Sequence, residues 1–99
     1  MAGQYHEPSE KMSKLTLDLH RAWMSLKEEI EAMDWYQQRI DATDNKDLKE
    51  ILKHNRDEEK EHAAMLMEWV RRNDTAFAKE MKEYLFTDKP ITEIEESPK

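Results

Sequence analysis

The sequence contains no cysteine, a single glycine (Gly3) and no long hydrophobic run. Without cysteine, disulfide bonds and thiolate metal sites are excluded. No apolar stretch reaches the ~20 residues of a transmembrane helix, and the N-terminus lacks the pattern of a signal peptide. The scarcity of glycine and of strand-forming residues predicts an all-α fold, and we expect a cytoplasmic protein without a membrane partner.

The chain as a whole is rich in charged residues and poor in apolar ones. Charged residues make up 39% of the chain, the net charge is −7 and the mean hydropathy is −1.09. A negative net charge disfavours nucleic acid as a partner. The 99 residues are enough for one domain, but a two-helix hairpin does not enclose a core of its own, so we expect the chain to associate with copies of itself.

The breaks in the pattern divide the chain into helices. Ser9 is predicted to cap a first helix of about thirty residues. The polar stretch 41–46 is the predicted turn, with Asp44 as the cap of a second helix over 47–72. A third, shorter helix follows, and one more helical turn is predicted after Pro90. The predicted segments are a flexible N-terminal arm (1–8), a helical hairpin with a third helix (9–86) and a C-terminal tail (87–99).

A line of residues with heptad spacing runs along each long helix, and ionisable groups interrupt both lines. Other apolar residues lie off these lines, which predicts that more than one face packs against a partner; they are Leu17, Met24, Trp35, Ala63, Met67 and Val70. The first line is Leu15, Leu19, Ala22, Leu26, Glu29, Met33, Tyr36 and Ile40; the second is Leu48, Leu52, Asn55, Glu59, His62, Leu66 and Trp69.

The spacing predicts that these ionisable groups meet. Glu29 and Glu59 each lie roughly 22 Å from the turn at 1.5 Å rise per residue, so an antiparallel hairpin brings them to one level, with His62 beside them. Uncompensated carboxylates at a buried level cost several kcal/mol, so the layer needs a cation. Arg39 or Arg56 could supply it, giving an ion-paired layer that sets the register. The other interpretation is a metal site, because glutamate and histidine on rigid helices suit a transition metal such as iron.

One hairpin holds half of a di-iron site. The di-iron carboxylate pattern of four-helix bundles uses a Glu from each of two helices and a Glu-x-x-His from each of two others. The two helical lines of this chain supply one Glu from the first helix (Glu29) and one Glu-x-x-His from the second (Glu59 and His62). A two-fold dimer of hairpins would assemble four carboxylates and two imidazoles around two metal ions.

The acidic residues of the first helix and Tyr36 each have two possible interpretations. Glu28, Glu31 and Asp34 form an acidic ladder, which is either a solvated face or a second, weaker cation site across a two-fold axis. Tyr36 either packs in the core or hydrogen-bonds a metal-binding carboxylate. Trp35 and Trp69 are predicted to fill interfaces, and His54 with Glu58 to form an exposed surface pair.

Several segments resemble the encapsulated ferritin family, and the resemblance extends from about His6 to Glu95. It implies a ferritin-like two-helix protomer whose ferroxidase centre forms between two subunits, within an annular decamer of five dimers. The segments are 28–36 (EEIEAMDWY), 54–65 (HNRDEEKEHAAM), 84–87 (YLFT) and 90–92 (PIT).

The resemblance also implies roles for individual residues and a function as an enzyme. That function is oxidation of Fe(II) to Fe(III), with the mineral stored elsewhere because the ring has no closed cavity. Carried over by position, Glu29, Glu59 and His62 are the di-iron ligands, Tyr36 is the tyrosine beside them, and Glu28, Glu31 and Trp35 belong to the site where calcium or another divalent cation enters.

The partner implied by the resemblance is an encapsulin shell, with the ring as its cargo inside a cytoplasmic nanocompartment. Family members carry a targeting peptide with Gly, Ser and Leu, whereas this sequence ends in Glu95-Glu96-Ser97-Pro98-Lys99. Two alternatives remain open at this point. One is a non-catalytic helical assembly module with a structural metal or polar layer, and the other is a di-iron oxygenase or peroxidase acting on another substrate.

Overall fold

The computed structural model describes residues 5–96, and all regular secondary structure within them is helical. The all-α prediction is therefore confirmed. Residues 1–4 of the predicted arm and residues 97–99 of the predicted tail lie outside the described residues. None of the described helices is long and apolar enough to cross a membrane. The elements are a 3₁₀ helix over Ser9–Lys11 and the α-helices α1 (Lys14–Ala42), α2 (Lys46–Asn73), α3 (Thr75–Tyr84) and α4 (Ile91–Glu96).

Helix α1 starts later than the sequence predicts. Ser13 is its N-cap, and the Ser13 hydroxyl accepts a hydrogen bond from the Thr16 backbone N–H at 3.0 Å. The predicted cap, Ser9, instead begins the 3₁₀ turn after Pro8, and Met12 is extended. The turn ends there because Ser9–Lys11 buries no residue, so no packing extends it into a longer helix.

The hairpin turn lies where the sequence places it, but its cap is Asn45 rather than Asp44. The Asn45 side chain accepts from the Leu48 N–H at 2.9 Å, which satisfies one of the free donors at the start of α2. The Asn45 N–H donates to the Thr43 hydroxyl at 3.2 Å. These two bonds order the short connection between α1 and α2, which pack against each other along their length.

Only part of the predicted line of α2 packs against α1, with Leu52 buried as the sequence predicts. Ala63 and Val70, which the sequence places off the main line, are buried, and Val70 is only 1% exposed. Leu48 and Trp69, which belong to the predicted line, remain exposed. The predicted line therefore faces partly toward α1 and partly toward open solvent, the geometry expected for half of a four-helix bundle.

Helix α3 packs on the end of the hairpin. The Asp74 side chain caps it by accepting from the Phe77 N–H at 3.0 Å. Met81 is the buried residue of this helix. Beyond it, Phe86 adopts φ 61°, a left-handed conformation, in the connection between α3 and α4.

Near the end of α2, Glu68 is held by two arginines. Both Glu68 carboxylate oxygens accept from Arg71 at 2.7 Å, and Arg72 Nε donates to Oε2 at 2.7 Å. These contacts lower the pKa of Glu68 to about 2. Because the folded-state pKa is depressed, the stabilisation is present above the ordinary glutamate pKa and is lost as the pH falls toward 2. The site is exposed, so salt should weaken it.

We expect the Glu68 carboxyl carbon to titrate near pH 2 in a ¹³C NMR experiment at low salt. The ordinary glutamate pKa, about 4.3, provides the comparison. In 1 M salt the Glu68 midpoint should move up toward the ordinary value. A Glu68 midpoint at the ordinary glutamate value in low salt would contradict the bidentate pairing.

Candidate metal centre

Three ionisable side chains meet between the middle of α1 and the middle of α2. His62 Nδ1 lies 3.5 Å from Glu29 Oε2 and 3.9 Å from Glu59 Oε2. One ligand atom from each of the three residues lies within 4.8 Å of the other two. Glu59 and His62 are three positions apart on α2 and so share one face, while the antiparallel hairpin brings Glu29 opposite them.

The environment of the two carboxylates favours a bound cation. Each side chain is 23% exposed, and Glu29 Oε2 is buried without a hydrogen-bond partner among residues 5–96. The pKa of Glu59 is raised, chiefly by the Glu29 carboxyl group, with which it can share a proton in a hydrogen bond, and then by partial burial. His62 opposes this shift. Two close carboxylates therefore cost stability as the pH rises, and a cation between them would offset that cost.

Neither Arg39 nor Arg56 supplies the positive charge that would offset the two carboxylates. Arg56 Nη1 donates to Gln37 Oε1 at 2.9 Å, and Arg56 also pairs with Asp57 at 3.0 Å. The Arg39 guanidinium lies over the ring of Tyr36, 5.5 Å from its centroid. The alternative of an ion-paired layer supplied by Arg39 or Arg56 is thus wrong within the described hairpin. The donor set of two carboxylates and one imidazole fits a divalent transition metal.

The cluster is open on one side. The His62 side chain is 42% exposed. Ile51 and Trp69 lie eleven residues before and seven after it, spacings that return to the same face of an α-helix. They are 58% and 36% exposed, and Met65 nearby is 61% exposed. We define these three residues as the open apolar face of α2.

The other predicted site residues lie outside the cluster within a single chain. Glu28 and Glu31 are exposed on α1, and Trp35 is 51% exposed on the same helix. Tyr36 is half-buried, with its ring against Arg39. Their assignment to a cation entrance and to a tyrosine beside the ligands stays a prediction, because both depend on a second chain.

Two side-chain interactions complete the surroundings. His54 Nε2 lies 3.1 Å from Glu58 Oε1 and both side chains are exposed, which confirms the predicted surface pair. The contact between Gln37 and Arg56 was not predicted. The sequence signal for it was weak, because Gln37 and Asp41 show only an i, i+4 spacing on α1, and the reach of an arginine across to a second helix leaves no periodic pattern.

Comparison with known proteins decides the family. The family model described as EncFtn-like matches residues 4–88, which is most of the chain. The chain belongs to the EncFtn-like family. The resemblance to encapsulated ferritins that the sequence motifs indicate is thereby confirmed, together with the ferritin-like helical fold.

Relatives of this EncFtn-like chain have informative names. It is 57% identical to a ferritin-like protein of Thermotoga maritima, over 97% of this chain and 84% of that protein. It is also 57% identical to the encapsulated ferritin-like protein of Rhodospirillum rubrum, over 91% of this chain and 64% of that protein. The encapsulin nanocompartment cargo protein EncC of Myxococcus xanthus is 45% identical, over 61% of this chain and 46% of that protein. The chain thus spans less than two thirds of the length of the latter two relatives.

A solved structure shares the fold. The crystal structure of protein ne0167 from Nitrosomonas europaea superposes with a TM-score of 0.83 at 63% identity. The match covers 88% of this chain and 96% of that one. The helical fold of this EncFtn-like chain is therefore shared, over most of its length, with a solved structure.

Proposed function

We propose that this EncFtn-like chain is a ferroxidase that oxidises Fe(II) to Fe(III) at a di-iron centre shared between two copies of the chain. The observation that carries the proposal is the convergence of Glu29, Glu59 and His62, with a buried carboxylate oxygen of Glu29 that has no hydrogen-bond partner among the described residues. Oxygen-rich ligand sets with histidine, held on rigid helices, are those used by di-iron carboxylate bundles.

The number of ligands in one chain is the reason for proposing that a second copy of the chain completes the di-iron site. A single chain offers two carboxylates and one imidazole, half of the set that two iron ions need. His62 opens toward solvent on the side where Ile51 and Trp69 are exposed. A two-fold related hairpin packed on the open apolar face would bury these residues and bring the second set of ligands to the first. Five such dimers would form the annular decamer that family resemblance implies.

In the proposed reaction, iron is the substrate. Glu29, Glu59 and His62 of both copies hold two Fe(II) ions, and the four carboxylates balance their charge. Each Fe(II) gives up one electron to O₂ or to a reduced oxygen species. Because the ligands are mostly hard oxygen donors, they favour Fe(III) over Fe(II). Glu29, which comes alone from α1, is assigned as the bridging ligand, and Tyr36 as the hydrogen-bond donor to a ligand carboxylate.

The exposed acidic side chains of α1 have a supporting role in this proposal. Glu28 and Glu31, beside Trp35, lie on the surface at the level of Glu29. Facing their mates across a two-fold axis, they would attract calcium or another divalent cation and deliver Fe(II) inward.

The names of two relatives support a location for the proposed reaction inside an encapsulin shell. One is an encapsulated ferritin-like protein, and another is an encapsulin nanocompartment cargo protein. We infer that this chain is cargo of an encapsulin shell in the cytoplasm and that it supplies Fe(III) for storage there. An open ring has no closed cavity for mineral, so storage belongs to the shell.

A second candidate is a non-catalytic assembly module whose metal or polar layer only holds the copies together. The exposed Ile51, Met65 and Trp69 favour it, because an apolar face is enough to drive association without any reaction. This module would bind a cation and would not accelerate oxidation. A di-iron oxygenase or peroxidase acting on an organic substrate is disfavoured, because it needs a substrate pocket beside the ligands, where bulky Leu26, Met33 and Leu66 lie on the same helical lines.

The test is the initial rate of aerobic Fe(II) oxidation by a size-purified oligomer, followed by the absorbance of Fe(III) and compared with the same buffer without protein. We expect the protein to raise the rate clearly above the spontaneous one. A rate equal to that of the buffer would leave the assembly module as the function.

A further inference from the structure

A network of polar side chains joins α1 and α2. It lies between the turn and the cluster formed by Glu29, Glu59 and His62. Arg56 Nη1 donates to Gln37 Oε1 at 2.9 Å, which links α2 to α1. Gln37 Nε2 donates to Asp41 Oδ1 at 3.1 Å, so the amide is oriented with its oxygen toward Arg56. Arg56 Nε donates to Asp57 Oδ1 at 3.0 Å. The Arg56 side chain is only 20% exposed, and its guanidinium is held from two sides.

Arg56 has another possible partner within reach. It lies three residues before Glu59 on α2, a spacing at which helical side chains are neighbours. Two other arginines of this chain, Arg21 and Arg71, pair at that spacing, each with the carboxylate three residues before it, at 2.7 Å in both cases. A pair between Arg56 and Glu59, in which the carboxylate follows the arginine, would place a permanent positive charge on a carboxylate of the cluster.

Gln37 competes for that guanidinium. Helical side chains lean toward the N-terminus of their helix, so Arg56 leans toward the turn and away from Glu59. Gln37, on α1 near the turn, accepts from it there. The carboxylates are left with His62 as their ion-pair partner among the described residues.

We propose that Gln37 is a positioning residue that holds the Arg56 guanidinium away from Glu59, leaving the Glu59 carboxylate available to a divalent cation. The inference rests on the proposed function, because it assumes that the cluster binds such a cation. Gln37 acts through Arg56 and does not itself touch the cation.

The test measures cation binding without any oxidation step. Co(II) is titrated anaerobically into the size-purified full chain, and its dissociation constant is measured by calorimetry and by visible absorbance. Gln37→Met keeps the side-chain length and helix propensity while removing the hydrogen bond. We expect Co(II) to bind about tenfold more weakly to this variant, because Arg56 then pairs with a cluster carboxylate through a charge-assisted contact.

A second substitution separates this role from a structural one. In Gln37→Met/Arg56→Gln the competing charge is gone, so we expect the Co(II) affinity to return to that of the wild type. Gln37→Glu still holds Arg56 and should bind Co(II) as the wild type does, which provides a further readout if Gln37→Met does not fold. If the network only braced the hairpin, Gln37→Met and Arg56→Gln would each weaken binding, and the double variant would show no recovery.

The outcomes also distinguish this proposal from the function on which it rests. Equal Co(II) affinities of the wild type and Glu59→Ala would overturn the metal centre itself. A wild type that binds Co(II), a Glu59→Ala that does not, and a Gln37→Met indistinguishable from the wild type would overturn the positioning role alone. Weak binding by Gln37→Met that Arg56→Gln restores would support both.

Discussion

Replacing Glu59 with alanine should reduce the initial rate of aerobic Fe(II) oxidation to that of the buffer without protein. Because the proposed centre is shared by two copies, the substitution removes two of its four carboxylates at once. Losing even an indirect partner of a metal ligand typically costs about 10- to 100-fold, so the loss of two direct ligands should cost at least that. The fold should survive, because Glu59 is partly exposed and its repulsion of Glu29 disappears.

The matched control for this variant is Glu50→Ala. Glu50 is exposed, lies on the same helix and carries the same charge, but it is near Lys53 and away from the cluster. We expect its rate to equal that of the wild type. Far-ultraviolet circular dichroism and size-exclusion chromatography should give the same helix content and oligomer size for all three proteins. Unchanged oxidation by a folded, fully assembled Glu59→Ala would refute a ferroxidase centre on this helix.

Replacing Ile51 with aspartate should both dissociate the proposed dimer and abolish Fe(II) oxidation. Ile51 is 58% exposed in the single chain, so the charge does not disturb the hairpin itself. In the proposed dimer the same position is buried, where an unpaired carboxylate costs several kcal/mol. The dimer dissociation constant should therefore rise by about two orders of magnitude or more. Ile51 lies more than two helical turns from Glu59, so the loss of activity would come through association.

Asn45→Asp is the matched control for Ile51→Asp. It adds the same charge at an exposed position near the same end of the hairpin, and aspartate is as good an N-cap as asparagine. This variant should assemble and oxidise Fe(II) as the wild type does. Molecular mass is measured by light scattering on the same samples used for the rate measurement. A monomeric Ile51→Asp that retained the wild-type rate would show that one chain is sufficient, contrary to the proposed shared centre.

Much of the cluster was predictable because helical spacing is a local property. Glu59 and His62 share a face through their three-residue separation, and their equal distance from the turn places Glu29 opposite. The helix ends were less predictable. Ser13 and Asn45, rather than Ser9 and Asp44, cap the two long helices, since neighbouring polar residues have similar cap preferences and packing selects among them.

The sequence by itself determined the all-helical hairpin and the three residues that meet within it, because periodicity and the distance from a turn fix both. The tertiary structure alone decided which line of α2 packs against α1, burying Ala63 and Val70 and leaving Ile51 and Trp69 exposed. It also decided that Arg56 binds Gln37 rather than a carboxylate of the cluster. The rotation of one helix against another, and the reach of a long side chain across the gap, depend on the packing of many side chains at once and not on the spacing along either helix.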